Sequence, residues 1–277
     1  MRVKVIWLMV FLTMQVSAIS QKSVEFYVKK YMETKMHSPV EKIETLSHYI
    51  VGGTQGWEVY FLTLDVKVKM GKVYRKKSVS QVVFTKGKKI AFSLKDKNGK
   101  DYSKILKPKV PENAYDDEHY LVGNKNATHK LVIFSDPFCP FCQEIVPRII
   151  ATVQQNPDTF VLYYYHLPLL RIHPASEVTT RAMNIFHKQG KIKKLTDLYH
   201  LVVSERERNV TVILKAIQKK TGVLFTQEEL NTTEITTALA FDKAMKKRLM
   251  VTGTPTIFID GQWDPSRKAY KNYLPKK

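Results

Sequence analysis

The spacing of hydrophobic and polar positions changes period several times along this chain, and each change marks an element. Val24, Tyr27, Val28, Tyr31 and Met32 fall at i, i+3, i+4, i+7 and i+8, with Glu25, Lys29, Lys30 and Glu33 between them. That spacing predicts an amphipathic helix over residues 23–36. The period then drops to two: Leu62, Leu64, Val66, Val68 and Met70 alternate with Thr63, Asp65, Lys67 and Lys69. Strands are expected there, over Val79 to Phe84 and, after a Lys86-Gly87 turn, through Ile90, Phe92 and Leu94. Residues 21 to about 98 therefore read as one helix packed on an antiparallel sheet. A sheet in so small a unit needs its apolar face covered and its edges protected, and a second copy of the chain does both.

Residues 95–116 are rich in Lys, Pro, Asn and Asp, and Pro108 and Pro111 break any long regular element, so a linker is expected. A second domain starts near Tyr120. Its first strong signal is Lys130-Leu131-Val132-Ile133-Phe134, a short apolar run suited to a strand buried on both faces. Helical patterns dominate from Pro174 to about Leu249, and a final strand, Thr256 to Ile259, ends at Asp260-Gly261. The resulting layout is a leader at 1–18, a first domain at 19–98, a linker at 99–119 and a second domain at 120–277.

The N-terminus sets the compartment. Arg2 and Lys4 precede an apolar run from Val5 to Met14, followed by Val16-Ser17-Ala18. This is the three-part layout of a secretory signal peptide, with cleavage after Ala18 and a mature start near Ile19. A membrane anchor is the competing reading, but a spanning helix needs roughly 20 apolar residues and this run is much shorter. The formal charge of +20 includes Lys67, Lys69, Lys72, Arg75, Lys76 and Lys77, where basic and apolar residues alternate as on the solvated face of a strand. A nucleic-acid groove does not fit an exported chain. Attraction to anionic membranes or acidic clients does.

The chain has two cysteines, both in Cys139-Pro140-Phe141-Cys142. Exported proteins that rely on disulfides for stability usually carry several at scattered spacings, and a bridge closing so small a loop removes little entropy from the unfolded chain. Chemistry is the better reason for the pair. The stretch from Phe134 to Cys142 passes from the buried strand through a turn into a helix holding Ile145, Val146, Ile149, Ile150 and Val153. Cysteines at i and i+3 in a first turn lie about 5 to 6 Å apart, within reach of a disulfide. Cys139, at the helix start, should have its thiolate favoured by unpaired N–H groups, and Cys142, one turn in, should be the less exposed sulfur. Cys139 is then the attacking thiol and Cys142 the resolving one. A zinc site would need two further ligands, and only His166 and His173 are candidates; a structural disulfide is the other alternative.

Asp136-Pro137-Phe138-Cys139-Pro140-Phe141-Cys142 resembles the active-site segment of the periplasmic DsbC/DsbG disulfide isomerases, and the wider pattern is similar to the DsbA oxidases. Pro147 matches a helix-kinking proline of many thioredoxins. Val251-Thr252-Gly253-Thr254-Pro255-Thr256, about 115 residues downstream, resembles the loop in which thioredoxin-like proteins carry a cis-proline facing the cysteines. Many thioredoxins also bury an acid six positions before the first cysteine; Ile133 stands there in this chain, and turn and helix-surface roles account for Asp136 and Glu144.

The resemblance implies an α+β chain: a C-terminal thioredoxin-like domain with a helical insertion, behind a small cystatin-like dimerisation domain. It implies a Cys139–Cys142 redox-active disulfide, with Pro140, Phe141, Thr254 and Pro255 shaping the site and no metal or cofactor. Implied partners are unfolded or misoxidised exported proteins, a membrane redox partner similar to DsbD or DsbB, and a second copy in a V-shaped homodimer. Pro140-Phe141 supplies no side-chain donor, unlike the histidine of the DsbA oxidases, so a less extreme oxidant is expected. Isomerisation and oxidation use the same residues. A periplasmic holdase without essential redox chemistry is the reading from another class.

Overall fold

A computed structural model describes residues 19–71 and 73–274. The leader read from residues 1–18 lies outside the described residues, as does Lys72. The chain divides into two compact units, one running to Lys104 and one from Ile105 onward. Among the described residues, no helix is long and apolar enough to cross a membrane.

The first unit is a helix on a sheet. Helix α1 (Gln21–Thr34) is capped by Ser20, whose hydroxyl accepts from the Ser23 N–H, and it buries Val24 and Val28 on the stripe that the spacing marks. Strands β1 (Val40–Ile50), β2 (Glu58–Met70), β3 (Val73–Lys86) and β4 (Lys89–Ala91) pair antiparallel in that order. Leu62, Leu64 and Val66 of β2 meet Val24 and Val28 in one core, while Lys69 on the alternate face is exposed. Strand β1 lies outside the predicted elements: Glu41, Lys42 and Glu44 interrupt its apolar positions, and the strand is largely half-exposed, so its pattern is faint. The Ile90, Phe92, Leu94 strand ends at Ala91, with Phe92 packing on Tyr27 and Tyr31 of α1.

A short helix α2 (Tyr102–Ile105) leads into the second unit. Beyond it the expected linker gives way to packing: Val110 and Ala114 are buried in the second unit's core, and the Tyr165 hydroxyl donates to the Ala114 carbonyl at 2.8 Å. Pro108 and Pro111 keep this stretch irregular without freeing it.

The second unit is a five-stranded mixed sheet in the order β5 (Tyr120–Gly123), β7 (Phe160–His166), β6 (His129–Ser135), β8 (Thr256–Ile259), β9 (Gln262–Trp263). Strands β6 and β7 are parallel; the other pairings are antiparallel. Strand β8 is thus followed by β9, which turns back through Asp260-Gly261. Helix α3 (Pro140–Gln155) crosses between β6 and β7, and α4 (Ser176–Lys188), α5 (Ile192–Asp197), α6 (Val210–Thr221), α7 (Gln227–Leu230) and α8 (Thr233–Arg248) fill the span before β8. The apolar run in β6 follows from its position: Leu131 and Ile133 pack with α3, α4 and α6, whereas Val132 and Phe134 pack with Met245 and Leu249 at the end of α8. Gly123 ends β5 at φ 103°, where a Cβ would meet the Phe160 carbonyl, so the close β5–β7 approach requires glycine.

Candidate active site

The cysteine pair stands where β6 hands over to α3. Cys139 is the N-cap of α3, with extended φ −70° and ψ 120°, and Pro140 opens the first turn, where its missing N–H removes no helical bond. Cys142 faces the core one turn in. Cys139 retains 6% exposure and Cys142 none. Pro147 lies inside α3, whose inner face is Cys142, Val146, Ile149, Ile150 and Val153.

Across from the pair runs the segment before β8. The Thr254-Pro255 bond is cis, and the Cys139 thiol donates to the Thr254 carbonyl at 3.3 Å. The structure therefore brings Cys139, Cys142, Pro140, Thr254 and Pro255 to one place. Phe141 projects outward, 59% exposed, with the Arg267 guanidinium 5.4 Å from its ring centroid.

Electrostatics separate the two sulfurs. Cys139 is lowered from 9.0 to about 5: a hydrogen bond from Cys142 is the main cause, the Thr254 hydroxyl and the backbone N–H groups of Cys142 and Phe141 add to it, and partial burial opposes. Burial pushes Cys142 far up, and its bond to Cys139 pushes it further. One sulfur is ready to attack at neutral pH and the other is held as a thiol beside it.

Asp136 does more than form a turn. Its Oδ1 accepts from the Phe138 N–H at 2.7 Å, the turn contact read from sequence, and also from the Ser176 hydroxyl at 2.8 Å. Its Oδ2 accepts from the Leu169 N–H at 2.6 Å and faces His173 Nδ1 at 3.3 Å. The carboxylate is fully buried, and it ties the cysteine loop to the loop after β7 and to the start of α4. Gln143 closes the loop from the other side by donating to the Pro137 carbonyl at 3.0 Å. Glu144 is an exposed helix residue paired with Arg148. Ile133, at the position where many thioredoxins bury an acid, is buried in the apolar core against α3.

Sequence reasoning also missed Ser135, Tyr164 and Tyr199, which form a buried hydroxyl chain, and a histidine cluster on the β7 side. His119 is held between Asp116 at 2.6 Å and Asp242 at 2.8 Å and stacks on Tyr165. With His166, His187 and Asn184 it lines a cavity of about 450 Å³. Among the described residues, no three His, Cys, Asp or Glu side chains are grouped to hold a metal ion.

The family model described as Thioredoxin matches residues 115–273. A Na(+)/H(+) antiporter NhaA 3 of Salinispora tropica is 25% identical over 147 residues, 53% of this chain and 22% of the antiporter, so the chain spans about a fifth of that relative. Among solved structures, a thioredoxin-like oxidoreductase from Silicibacter pomeroyi is 22% identical with a TM-score of 0.49, covering 59% of this chain and 95% of the other. A periplasmic thioredoxin-like protein from Salmonella enterica serovar Typhimurium is 19% identical with a TM-score of 0.47, at 59% and 95% coverage. BdbD from Bacillus subtilis is 15% identical with a TM-score of 0.47, covering 60% of this chain and 92% of its own. With the family match spanning the mixed sheet, both cysteines and the Thr254-Pro255 segment, this chain belongs to the thioredoxin family.

Proposed function

We propose that this protein is a periplasmic thiol–disulfide oxidoreductase that rearranges disulfides in exported proteins, in the manner of the DsbC/DsbG isomerases. The observation that carries the reading is the asymmetry of the pair: a thiolate-favouring Cys139 at a helix N-terminus beside a buried, proton-holding Cys142. Cys139 attacks a client disulfide, and the resulting mixed disulfide either passes to another client thiol or is resolved by Cys142. Neighbouring Thr254 presents backbone to an extended client, and Phe141 offers an exposed apolar contact.

In this reading the first unit, a cystatin-like helix on a four-stranded sheet, joins two copies so that paired sites face one client. The second contact then becomes intramolecular. A DsbD-like reductase recycles the pair; a DsbB-like oxidase would serve it if oxidation dominates. Light scattering and reactivation of scrambled ribonuclease test this together. A dimer is expected, and a fragment beginning at Ile105, which keeps Val110 and Ala114 in its core, should exchange thiols yet lose most unscrambling activity. A monomeric full-length chain, or a fragment equally good at unscrambling, would favour a DsbA-like oxidase. Refolding activity retained in Cys139→Ser would favour a holdase.

A further inference from the structure

One cation beside the cysteine pair has no partner of opposite charge. Arg267 follows β9, and its guanidinium lies over the ring of Phe141, 5.4 Å from the centroid. Phe141 stands between the two cysteines in sequence and is largely exposed, while Arg267 is half-buried. A cation over a ring spends none of its N–H groups, so the donors of the guanidinium stay free. Among the described residues, no carboxylate pairs with it. The acids on the two segments that meet here are engaged elsewhere: Asp136 in its buried network, Glu144 with Arg148, and Asp264 with Ser266 and Ala269.

The loop holds Arg267 there against a local cost. Its φ is 59°, in the left-handed region that glycine or asparagine enters more readily. Asp264 is buried; its Oδ1 accepts from the Ser266 N–H at 2.9 Å and from the Ser266 hydroxyl, and its Oδ2 accepts from the Ala269 N–H at 2.8 Å. Beyond the loop, Tyr270 is buried in the core that α3 faces, and Tyr273 packs on His129 with ring centroids 4.0 Å apart. Arg267 is thus carried by a turn anchored on both sides. Asp264 and the backbone make that turn, so it does not call for a guanidinium. Positive charge held beside an attacking thiolate is complementary to negative charge on the molecule attacked.

We propose that Arg267 is a specificity residue: it takes a side-chain carboxylate of the client, so the site reacts fastest where an acidic residue neighbours the disulfide. This rests on the reading of Cys139 as the attacking thiol. A guanidinium offers a fork of N–H donors that fits a carboxylate with two parallel bonds, and its place over Phe141 fixes the fork before the client arrives. The Cys139 thiolate attacks one sulfur of the client disulfide. The bond from Cys139 to that sulfur forms as the client S–S bond breaks, and the electron pair leaves on the other client sulfur, which takes a proton from water. The carboxylate keeps its charge throughout and only positions the disulfide.

Two short peptides test this, identical except for Glu or Gln beside one cysteine, whose sulfur is joined to 2-thiopyridine. Attack by Cys139 on the peptide sulfur releases 2-thiopyridone, and its absorbance gives the rate for reduced full-length protein. Wild type should react about fivefold faster with the Glu peptide, as a half-exposed charge pair allows, and added salt should shrink the ratio. Arg267→Gln should bring the ratio close to one without slowing the reaction of the Gln peptide. Arg267→Lys should keep only part of the preference, because it keeps the charge and loses the fork. Lys219→Gln, which removes the same charge from an exposed position in the last turn of α6, should leave the ratio as in wild type. Circular dichroism checks folding, and Arg267→Lys decides if Arg267→Gln does not fold. Wild type without a preference would overturn the proposal before any variant is made. So would a preference that survives Arg267→Gln, one lost equally in Lys219→Gln, or a loss of rate shared by both peptides. Wild type that reacts with neither peptide would overturn the oxidoreductase reading itself, and the proposal with it.

Discussion

The Cys139 sulfur lies 3.3 Å from the carbonyl oxygen of Thr254, a residue 115 positions further along the chain. The hydroxyl of the same threonine is buried with no hydrogen-bond partner, and its nearness helps lower Cys139. A carbonyl beside the sulfur favours the thiol, whereas a hydroxyl donor favours the thiolate. Thr254 therefore acts on both protonation states of Cys139.

Replacing Thr254 by Val removes the donor and keeps the carbonyl. Thr254→Val should raise Cys139 from about 5 by roughly one unit, the worth of one hydrogen bond to a charged group. Thiolate absorbance followed during a pH titration checks this. An unchanged midpoint would remove Thr254 from the account.

The depressed Cys139 value also sets a pH dependence for the reduced protein. In the folded chain the thiol gives up its proton near 5, whereas in the unfolded chain it does so near 9.0. The unfolded state thus binds more protons between these values, so the contribution grows as pH rises from about 5 toward 9 and vanishes below 5. The unfolding midpoint of reduced wild type should gain on that of Cys139→Ser across this window. Parallel profiles would contradict the shift.

Asp136 gathers donors from the cysteine loop, the loop after β7 and the start of α4. Asp136→Asn keeps the shape but sets an amide N–H₂ against donors such as the Leu169 N–H or the Ser176 hydroxyl. A loss of about 2 kcal/mol is expected in urea unfolding, with slower thiol exchange because the loop loses its anchor. Wild-type stability in this variant would show that the network is dispensable.

These residues mark the limit of what sequence conveys. Strand β6, the C-x-x-C pair and the Thr254-Pro255 segment were readable because each is a local pattern. Strand β7 also has a local signature, the apolar and aromatic run Phe160 to His166 after Asn156-Pro157-Asp158. Asp136 was noticed, but a turn residue and a buried anchor look alike until Leu169, His173 and Ser176 are seen to converge on it. The Ser135–Tyr199 and His119–Asp242 contacts join residues 64 and 123 positions apart, and no local period encodes them.

His166 gives a test away from the cysteines. It is buried against Tyr164 and His187, and no protein group hydrogen-bonds either ring nitrogen. Burial, with the neighbouring histidines, pushes it well below the ordinary histidine range. The unfolded chain takes up a proton below a pH of ~6.5 that the folded chain refuses, so stability falls as pH drops through that value. His166→Phe fills the same space without the polar atoms. It should add about 1 kcal/mol at neutral pH and flatten the acid loss, read from chemical unfolding at several pH values.

The central claim is that Cys139 and Cys142 form one reversible redox couple, and equilibration in glutathione buffers tests it most directly. Acid-quenched samples, alkylated and weighed across a series of glutathione ratios, should pass between a dithiol and an internal disulfide in a single two-electron transition. Cys139→Ser should abolish the transition. Two cysteines that stay reduced at every ratio, or that take up glutathione independently without joining each other, would contradict it.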